Sequence, residues 1–199
     1  LPICILHYYK TKHSNEKGII MQYERQLNYY NDKLYKNELI IQTNIEKVNN
    51  IMLRAKDYAV SQYDSVTNYM KSLGIQKPIH IGETGWASFS NGLYGNKGSK
   101  ATDEYKEALF YKHIREWTSK EGISCFYFEA FDEHWKDASN PGGSENHFGL
   151  FTIDGKAKYA LWDLVDESIF KGLGRGKNPI TKTYNGNKDS LLLEVHVPP

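Results

Sequence analysis

The chain has 199 residues, a formal net charge of +1, and acidic and basic side chains that are evenly mixed. No basic stripe indicates a nucleic-acid partner and no long apolar run indicates membrane insertion, so we expect neither. The only cysteines, Cys4 and Cys125, lie in apolar runs without metal-binding spacing. We therefore expect two buried free thiols, no metal and no cofactor.

The first 45 residues contain two different patterns. Residues 2–9 form a short apolar run that predicts a strand. Residues 10–45 are dominated by Lys, Asn, Tyr, Ile and Gln without a clean period, which fits a marginal helix or a long loop. We assign 10–45 as an unpatterned loop. An AT-rich gene read out of frame would give the same composition, and a genuine lineage-specific loop fits equally well.

Beyond this segment, predicted helices and strands alternate. Apolar residues at helical spacing predict a helix over 46–73, stopped by Gly74. The run PIHIG predicts a strand over 78–82. We expect Thr102 to cap the next helix at its N-terminus, and Gly122 to end it.

The last third of the chain continues the alternation. The apolar run ISCFYFEAF predicts a strand over 123–131 that is covered on both faces. A short strand at 148–151 and a helix over 157–170 follow, and the tail 171–199 is irregular. Strands alternating with helices predict an α/β fold with a parallel sheet, either the end of a barrel or a small doubly wound sheet. We treat residues 1–199 as one domain.

Charged residues follow both predicted strands. Glu83 comes directly after the first strand, and five charged residues end or follow the second: Glu129, Asp132, Glu133, Lys136 and Glu145. Working residues of parallel α/β folds lie at the carboxyl ends of strands, and paired carboxyls cleave glycosidic bonds. By spacing alone, these acids fit a catalytic site and simple helix capping or pairing with lysine equally well.

Two blocks of sequence resemble glycoside hydrolase family 17. IGETGWAS (81–88) resembles the family's nucleophile motif at the end of strand seven. FEAFDEHWK (128–136) with SENHFGLF (144–151) resembles its strand-eight block, closest to the bacterial members. The resemblance implies a (β/α)8 TIM barrel of which this chain supplies strands six to eight, because a complete barrel takes about 250 residues. We therefore expect the C-terminal part of a truncated barrel.

The resemblance also implies an activity and a site. The activity is retaining hydrolysis of β-1,3-glucosidic bonds in laminarin-type glucan, by a secreted, periplasmic or cell-surface protein. Matched by position, Glu83 is the nucleophile. The residues that match the family's substrate cleft are Tyr9, Trp86, Glu133, Trp135, Lys136 and Glu145.

The chain departs from the family pattern at its beginning. His7 and Tyr9 match the end of strand six only loosely, because Lys10 stands where the family has proline. The family's acid/base glutamate lies on strand four, which this alignment places before Leu1. We therefore expect that the 199-residue chain alone is not a competent glucanase. Two alternatives share the same residues: a β-1,3-glucan transglycosylase and a non-catalytic glucan-binding protein.

Overall fold

The computed structural model describes residues 17–199, with side chains from residue 20 onward. The predicted strand 2–9, including Tyr9, lies outside the described residues. The chain divides into two compact units, Leu1–Thr43 and Asn44–Pro199, and every site residue that the structure describes belongs to the second unit.

The first described element is one long helix, α1 (Lys17–Ser72). The assignment of 10–45 as a loop is wrong from Lys17 onward, because no glycine or proline interrupts the chain between Gly18 and Gly74. The predicted stop is confirmed, since Gly74 follows the helix with a φ of +70°, a conformation that glycine adopts without steric cost. None of the described helices combines the length and apolar character needed to cross a membrane.

Two short strands form the sheet that positions the site. β1 (Ile81–Thr84) and β2 (Cys125–Tyr127) pair in parallel, so the predicted parallel arrangement is confirmed for these two strands. β1 begins three residues later than the predicted 78–82, and Glu83 consequently lies inside the strand instead of after it.

The predicted strand 123–131 is shorter than expected because its second half bonds to another segment. Four backbone hydrogen bonds of 2.9 to 3.1 Å join residues 129–132 to 148–151. The predicted strand at 148–151 is therefore a hydrogen-bonded segment with bridge pairing at Phe151. The expected cover on both faces of β2 is wrong within the described residues, because Phe126 is 67% exposed.

The helix between the two strands is α2 (Glu104–Glu121). Its N-cap is Asp103 and not Thr102 as predicted. Asp103 accepts a hydrogen bond from Lys106 N–H at 2.9 Å, whereas the Thr102 hydroxyl donates to the Tyr94 carbonyl. The predicted end at Gly122 is confirmed, with a φ of +65°.

α1 and α2 contact each other through both polar and aromatic groups. Within the second unit, α1 buries Ile45, Val48 and Met52, spaced three and four residues apart on one face. The Tyr105 hydroxyl of α2 donates to Asn49 Oδ1 of α1 at 2.9 Å. Further along, the rings of Tyr63 and Trp117 meet edge to face, 5.4 Å apart.

The predicted helix 157–170 is broken into two pieces, a 3-10 turn (Tyr159–Leu161) and α3 (Trp162–Asp166). The helix stops early because Ser168 has a left-handed φ of +59°. These pieces pack on α2 in a core around four residues: Ala108, Ala157, Ala160 and Leu161.

The tail 171–199, expected to be irregular, contains regular structure. β3 (Gly174–Arg175) and β4 (Asn178–Pro179) form an antiparallel pair. A turn (Thr183–Gly186), in which Tyr184 and Asn185 have left-handed φ values, and a short helix, α4 (Lys188–Leu193), follow. Polar and glycine-rich composition hid these elements, because hairpins and caps use the same residue types as irregular loops.

Candidate active site

Glu83 is the third residue of β1, and its side chain is exposed. The strand ends beside β2, where Phe128 N–H donates to the Thr84 carbonyl at 2.8 Å. Gly85 makes this approach possible, since a Cβ there would lie 2.0 Å from the Phe128 oxygen. Glu83 also borders a cavity of about 280 Å³ beside Tyr63 of α1. Gly85 therefore allows the ends of the two strands to approach each other closely.

A hydrogen bond and a ring contact hold the indole ring of Trp86 in place. Its Nε1–H donates to the Ala101 carbonyl at 2.9 Å, and its ring packs on Phe110 of α2 with centroids 5.1 Å apart. The side chain is half-buried. Trp86 thus fixes the segment after Glu83 against α2, and its hydrogen-bond donor is already used within the protein.

A lysine between two glutamates lies where β2 ends. Lys136 Nζ is 2.9 Å from Glu129 Oε2 and 3.0 Å from Glu133 Oε2. The same ammonium group lies 3.6 Å from the centroid of the Phe128 ring. Lys136 is therefore held on three sides by residues from one loop.

The two glutamates of this group have opposite electrostatic properties. Burial raises the pKa of Glu129, against the opposing effect of Lys136. The hydrogen bond from Lys136 lowers the pKa of Glu133, the more exposed of the two. The two carboxylates raise the pKa of Lys136 despite its partial burial. Glu129 is thus the acid that more readily retains a proton, and Glu133 the one that more readily ionises.

The structure brings some predicted site residues together and separates others. In the described part of the chain, Lys136 forms ion pairs with Glu129 and Glu133 but none with Glu83. Trp135, next to Lys136, is 71% exposed. Glu145 lies in an exposed position on a 3-10 turn (Ser144–Asn146). Tyr9 lies outside the described residues.

A buried charged cluster behind these loops is absent from the sequence-based prediction. Lys158, 2% exposed, donates to Asp132 Oδ1 at 2.8 Å and to Ser88 Oγ at 2.6 Å. Glu107 Oε1 of α2 lies 3.5 Å from the same ammonium group. Nearby, Glu104 Oε1 accepts hydrogen bonds from Tyr159 N–H and from the Thr183 hydroxyl. The cluster connects α2 with the segments that follow both strands.

Burial controls the protonation of the two α2 glutamates. Complete burial raises the pKa of Glu107 well above its ordinary range, although the charge of Lys158 opposes this shift. Burial also raises the pKa of Glu104, against its hydrogen bonds to Thr183 and Tyr159. A sequence signal for the cluster existed: Glu104 and Glu107 share a helix face with Ala108, a core residue.

The family "Glycosyl hydrolases family 17" matches residues 34–162, more than half of the chain. The chain belongs to glycosyl hydrolases family 17. The resemblance seen in the two sequence blocks is therefore confirmed.

The individual relatives of this family 17 chain have names that refer to β-1,3-glucan or laminarin. It is 38% identical over 88 residues to a glucan 1,3-beta-glucosidase of Arthroderma benhamiae, covering 41% of this chain and 27% of that protein. It is 35% identical over 84 residues to the Saccharomyces cerevisiae protein of the same name, covering 41% and 25%. The crystal structure of an endo-laminarinase from Formosa Hel1_33_131 is 74% identical, with a TM-score of 0.77, covering 78% of this chain and 40% of that one.

The chain spans about a quarter of the length of these curated relatives, and 40% of the laminarinase. The similarity to the laminarinase extends over most of this chain and holds in both sequence and fold. It supports assignment to a family of TIM barrels, and the described residues contain one parallel pair of strands, β1 and β2.

Proposed function

We propose that this chain forms part of a retaining β-1,3-glucan hydrolase in which Glu83 is the catalytic nucleophile. The observation that carries the proposal is the position of Glu83 near the carboxyl end of β1, which pairs with the end of β2; Glu129, Glu133 and Lys136 lie in the segment that follows β2. Its relatives are named glucan 1,3-beta-glucosidase and endo-laminarinase. We therefore take laminarin-type β-1,3-glucan as the substrate.

We further propose that β1 and β2 are strands seven and eight of a (β/α)8 barrel. Their parallel pairing through an intervening helix is the repeating unit of that fold. In such barrels the active site lies at the carboxyl ends of the strands. Glu83 and the Lys136 group, which consists of Lys136 with Glu129 and Glu133, lie at this edge.

The proposed reaction needs a nucleophile and an acid/base, and Glu83 supplies only the nucleophile. Its carboxylate attacks the anomeric carbon, and the bond to the leaving oxygen breaks as a covalent glycosyl-enzyme forms. A second carboxyl protonates the leaving oxygen and then activates the water that releases the sugar. Because Glu129 and Glu133 both bind Lys136, we assign the acid/base role to neither and expect it on a strand other than β1 and β2.

We assign the substrate contacts from the exposure and packing of the predicted site side chains. Trp135 offers an open ring face on which a sugar can stack, so we propose it as a subsite wall. Glu133, Lys136 and Glu145 supply polar groups for sugar hydroxyls. Trp86 shapes the cleft through its packed position. A substrate of this kind also suggests a site of action outside the cytoplasm, with neither nucleic acid nor membrane as a partner.

The test compares the full-length gene product with its Glu83→Gln variant on laminarin. We expect new reducing ends from the wild type and almost none from the variant, while laminarin binding persists. Glu167→Gln is a matched control, because Glu167 is an exposed acid outside the site. Full activity in Glu83→Gln would contradict the proposal.

The same assay separates the two alternatives. A transglycosylase would produce oligosaccharides longer than its substrate, with no net change in the number of reducing ends. A glucan-binding protein would retain laminarin without producing any new ends.

A further inference from the structure

Lys158 lies at the meeting point of the segments that carry the candidate site. Its ammonium group contacts Ser88 from the segment after β1, Asp132 from the segment after β2, and Glu107 from α2. It also lies 3.4 Å from the His147 carbonyl. One buried side chain thus bonds to both loops that follow the paired strands.

The bond to Ser88 fixes the segment that begins at Glu83. Ser88 N–H donates to the His147 carbonyl at 2.9 Å, and the Ser88 hydroxyl lies 3.1 Å from the same oxygen. Ser88 is five residues after Glu83, and Trp86 between them is fastened to the Ala101 carbonyl. The chain from Glu83 to Ser88 therefore has an anchor at Trp86 and another at Ser88.

The bond to Asp132 fixes the segment that carries the Lys136 group. Asp132 lies between Glu129 and Glu133 in the chain and is 5% exposed. Its Oδ1 accepts from Lys158 and also from Gly149 N–H at 3.0 Å. A Cβ at Gly149 would lie 2.1 Å from the Asp132 nitrogen, so the two segments are in close contact.

We propose that Lys158 is a positioning residue that sets the distance between the nucleophile Glu83 and the Glu129–Lys136–Glu133 group. This inference rests on the proposed glucan cleavage. Lys158 does not contact the substrate; it acts through Ser88 on one loop and through Asp132 on the other. Since catalysis depends on atomic placement, removing this bridge displaces the two loops relative to each other.

The charge balance explains why a lysine occupies this position. Asp132 is buried, and a buried carboxylate needs a partner of opposite charge. A neutral hydrogen-bond donor would satisfy Ser88 but leave Asp132 uncompensated. A methionine would keep the volume of the side chain while removing both bonds.

The experiment measures laminarin hydrolysis by the full-length gene product and its Lys158→Met variant. We expect kcat to fall about 10- to 100-fold after correction for the folded fraction, with KM changed less than about twofold. Lys112→Met is the matched control, because Lys112 pairs with Asp163 at 3.1 Å and contacts neither loop. The control should retain the wild-type kcat.

A second measurement does not depend on activity. Hydrogen exchange should speed up together in peptides covering residues 84–91 and 130–137 of Lys158→Met, and in neither peptide of Lys112→Met. Should Lys158→Met fail to fold, Ser88→Ala serves instead, since it removes one bond to Lys158 and leaves the pair with Asp132 intact. We then expect faster exchange in 84–91 alone and a smaller loss of kcat.

Two outcomes would overturn the inference, and they are distinguishable. If the wild type cleaves laminarin and the corrected kcat of Lys158→Met and Ser88→Ala is unchanged, Lys158 serves stability only and the proposed function stands. If the wild type does not cleave laminarin at all, the proposed function fails and the positioning role fails with it.

Discussion

The free energy of unfolding should fall as the pH rises above about 4.5, because α2 buries two carboxyls. Burial raises the pKa of Glu104 above its ordinary value of 4.5, and raises the pKa of Glu107 further, with Lys158 opposing both shifts. The perturbation that isolates one of them is Glu107→Gln, which keeps the shape of the side chain and removes its titration.

The sign follows from proton binding in the two states. Below pH 4.5, both carboxyls are protonated whether the chain is folded or unfolded, and their full contribution to the free energy of unfolding is present. Above it, the unfolded chain releases protons that the folded chain retains, so stability is lost as the pH rises towards the folded-state pKa values. Each retained proton changes the unfolding constant by about tenfold per pH unit. Glu104 and Glu107 together give at most about a hundredfold per unit, and Glu107→Gln leaves at most about tenfold.

The assay is urea unfolding followed by tryptophan fluorescence between about pH 4.5 and 7.5. Glu116→Gln is the control, since Glu116 lies on the same helix but is exposed. We expect a shallower pH dependence in Glu107→Gln than in the wild type and in the control. Equal slopes in all three proteins would refute the reasoning, because Glu107 would then titrate normally in the folded chain.

Three further predictions concern the full-length enzyme. Glu83→Ala should lower kcat by roughly a thousandfold or more, and azide should restore turnover with inverted product; near-normal activity would exclude Glu83 as nucleophile. Lys136→Met should raise the pKa of Glu133 and of Glu129, as followed by NMR titration of their carboxyl groups, because the ammonium group that stabilises both carboxylates is removed; unchanged pKa values would contradict the two ion pairs. Trp135→Ala should raise KM roughly three- to tenfold with kcat retained; an unchanged KM would remove Trp135 from the subsites.

The parts of the fold that local chemistry determines could be predicted from the sequence. Gly74 and Gly122 both end helices, because the left-handed backbone there suits glycine. The alternation of strand and helix gave the parallel pairing of β1 and β2. The order of elements also placed Glu83 and the Glu129–Lys136 segment near the carboxyl ends of these two paired strands.

The parts that depend on distant partners could not be predicted. The segment 129–132 bonds to 148–151 instead of continuing β2, a choice made by residues about twenty positions away. Lys158 is a polar residue in a segment read as an ordinary helix, and its four partners come from four separate stretches of chain. The pairing of Lys136 with two glutamates, and not with Glu83, is likewise a result of tertiary geometry.

The most direct test of the central claim is to trap the glycosyl-enzyme. The full-length enzyme is incubated with a 2-deoxy-2-fluoro β-1,3-glucosyl substrate, which slows breakdown of the covalent intermediate, and its peptides are analysed by mass spectrometry. We predict that one glycosyl group is attached to Glu83, in the peptide containing residues 81–88, and that Glu83→Gln is not labelled. Labelling of Glu129, Glu133 or any other carboxylate in place of Glu83 would contradict the account.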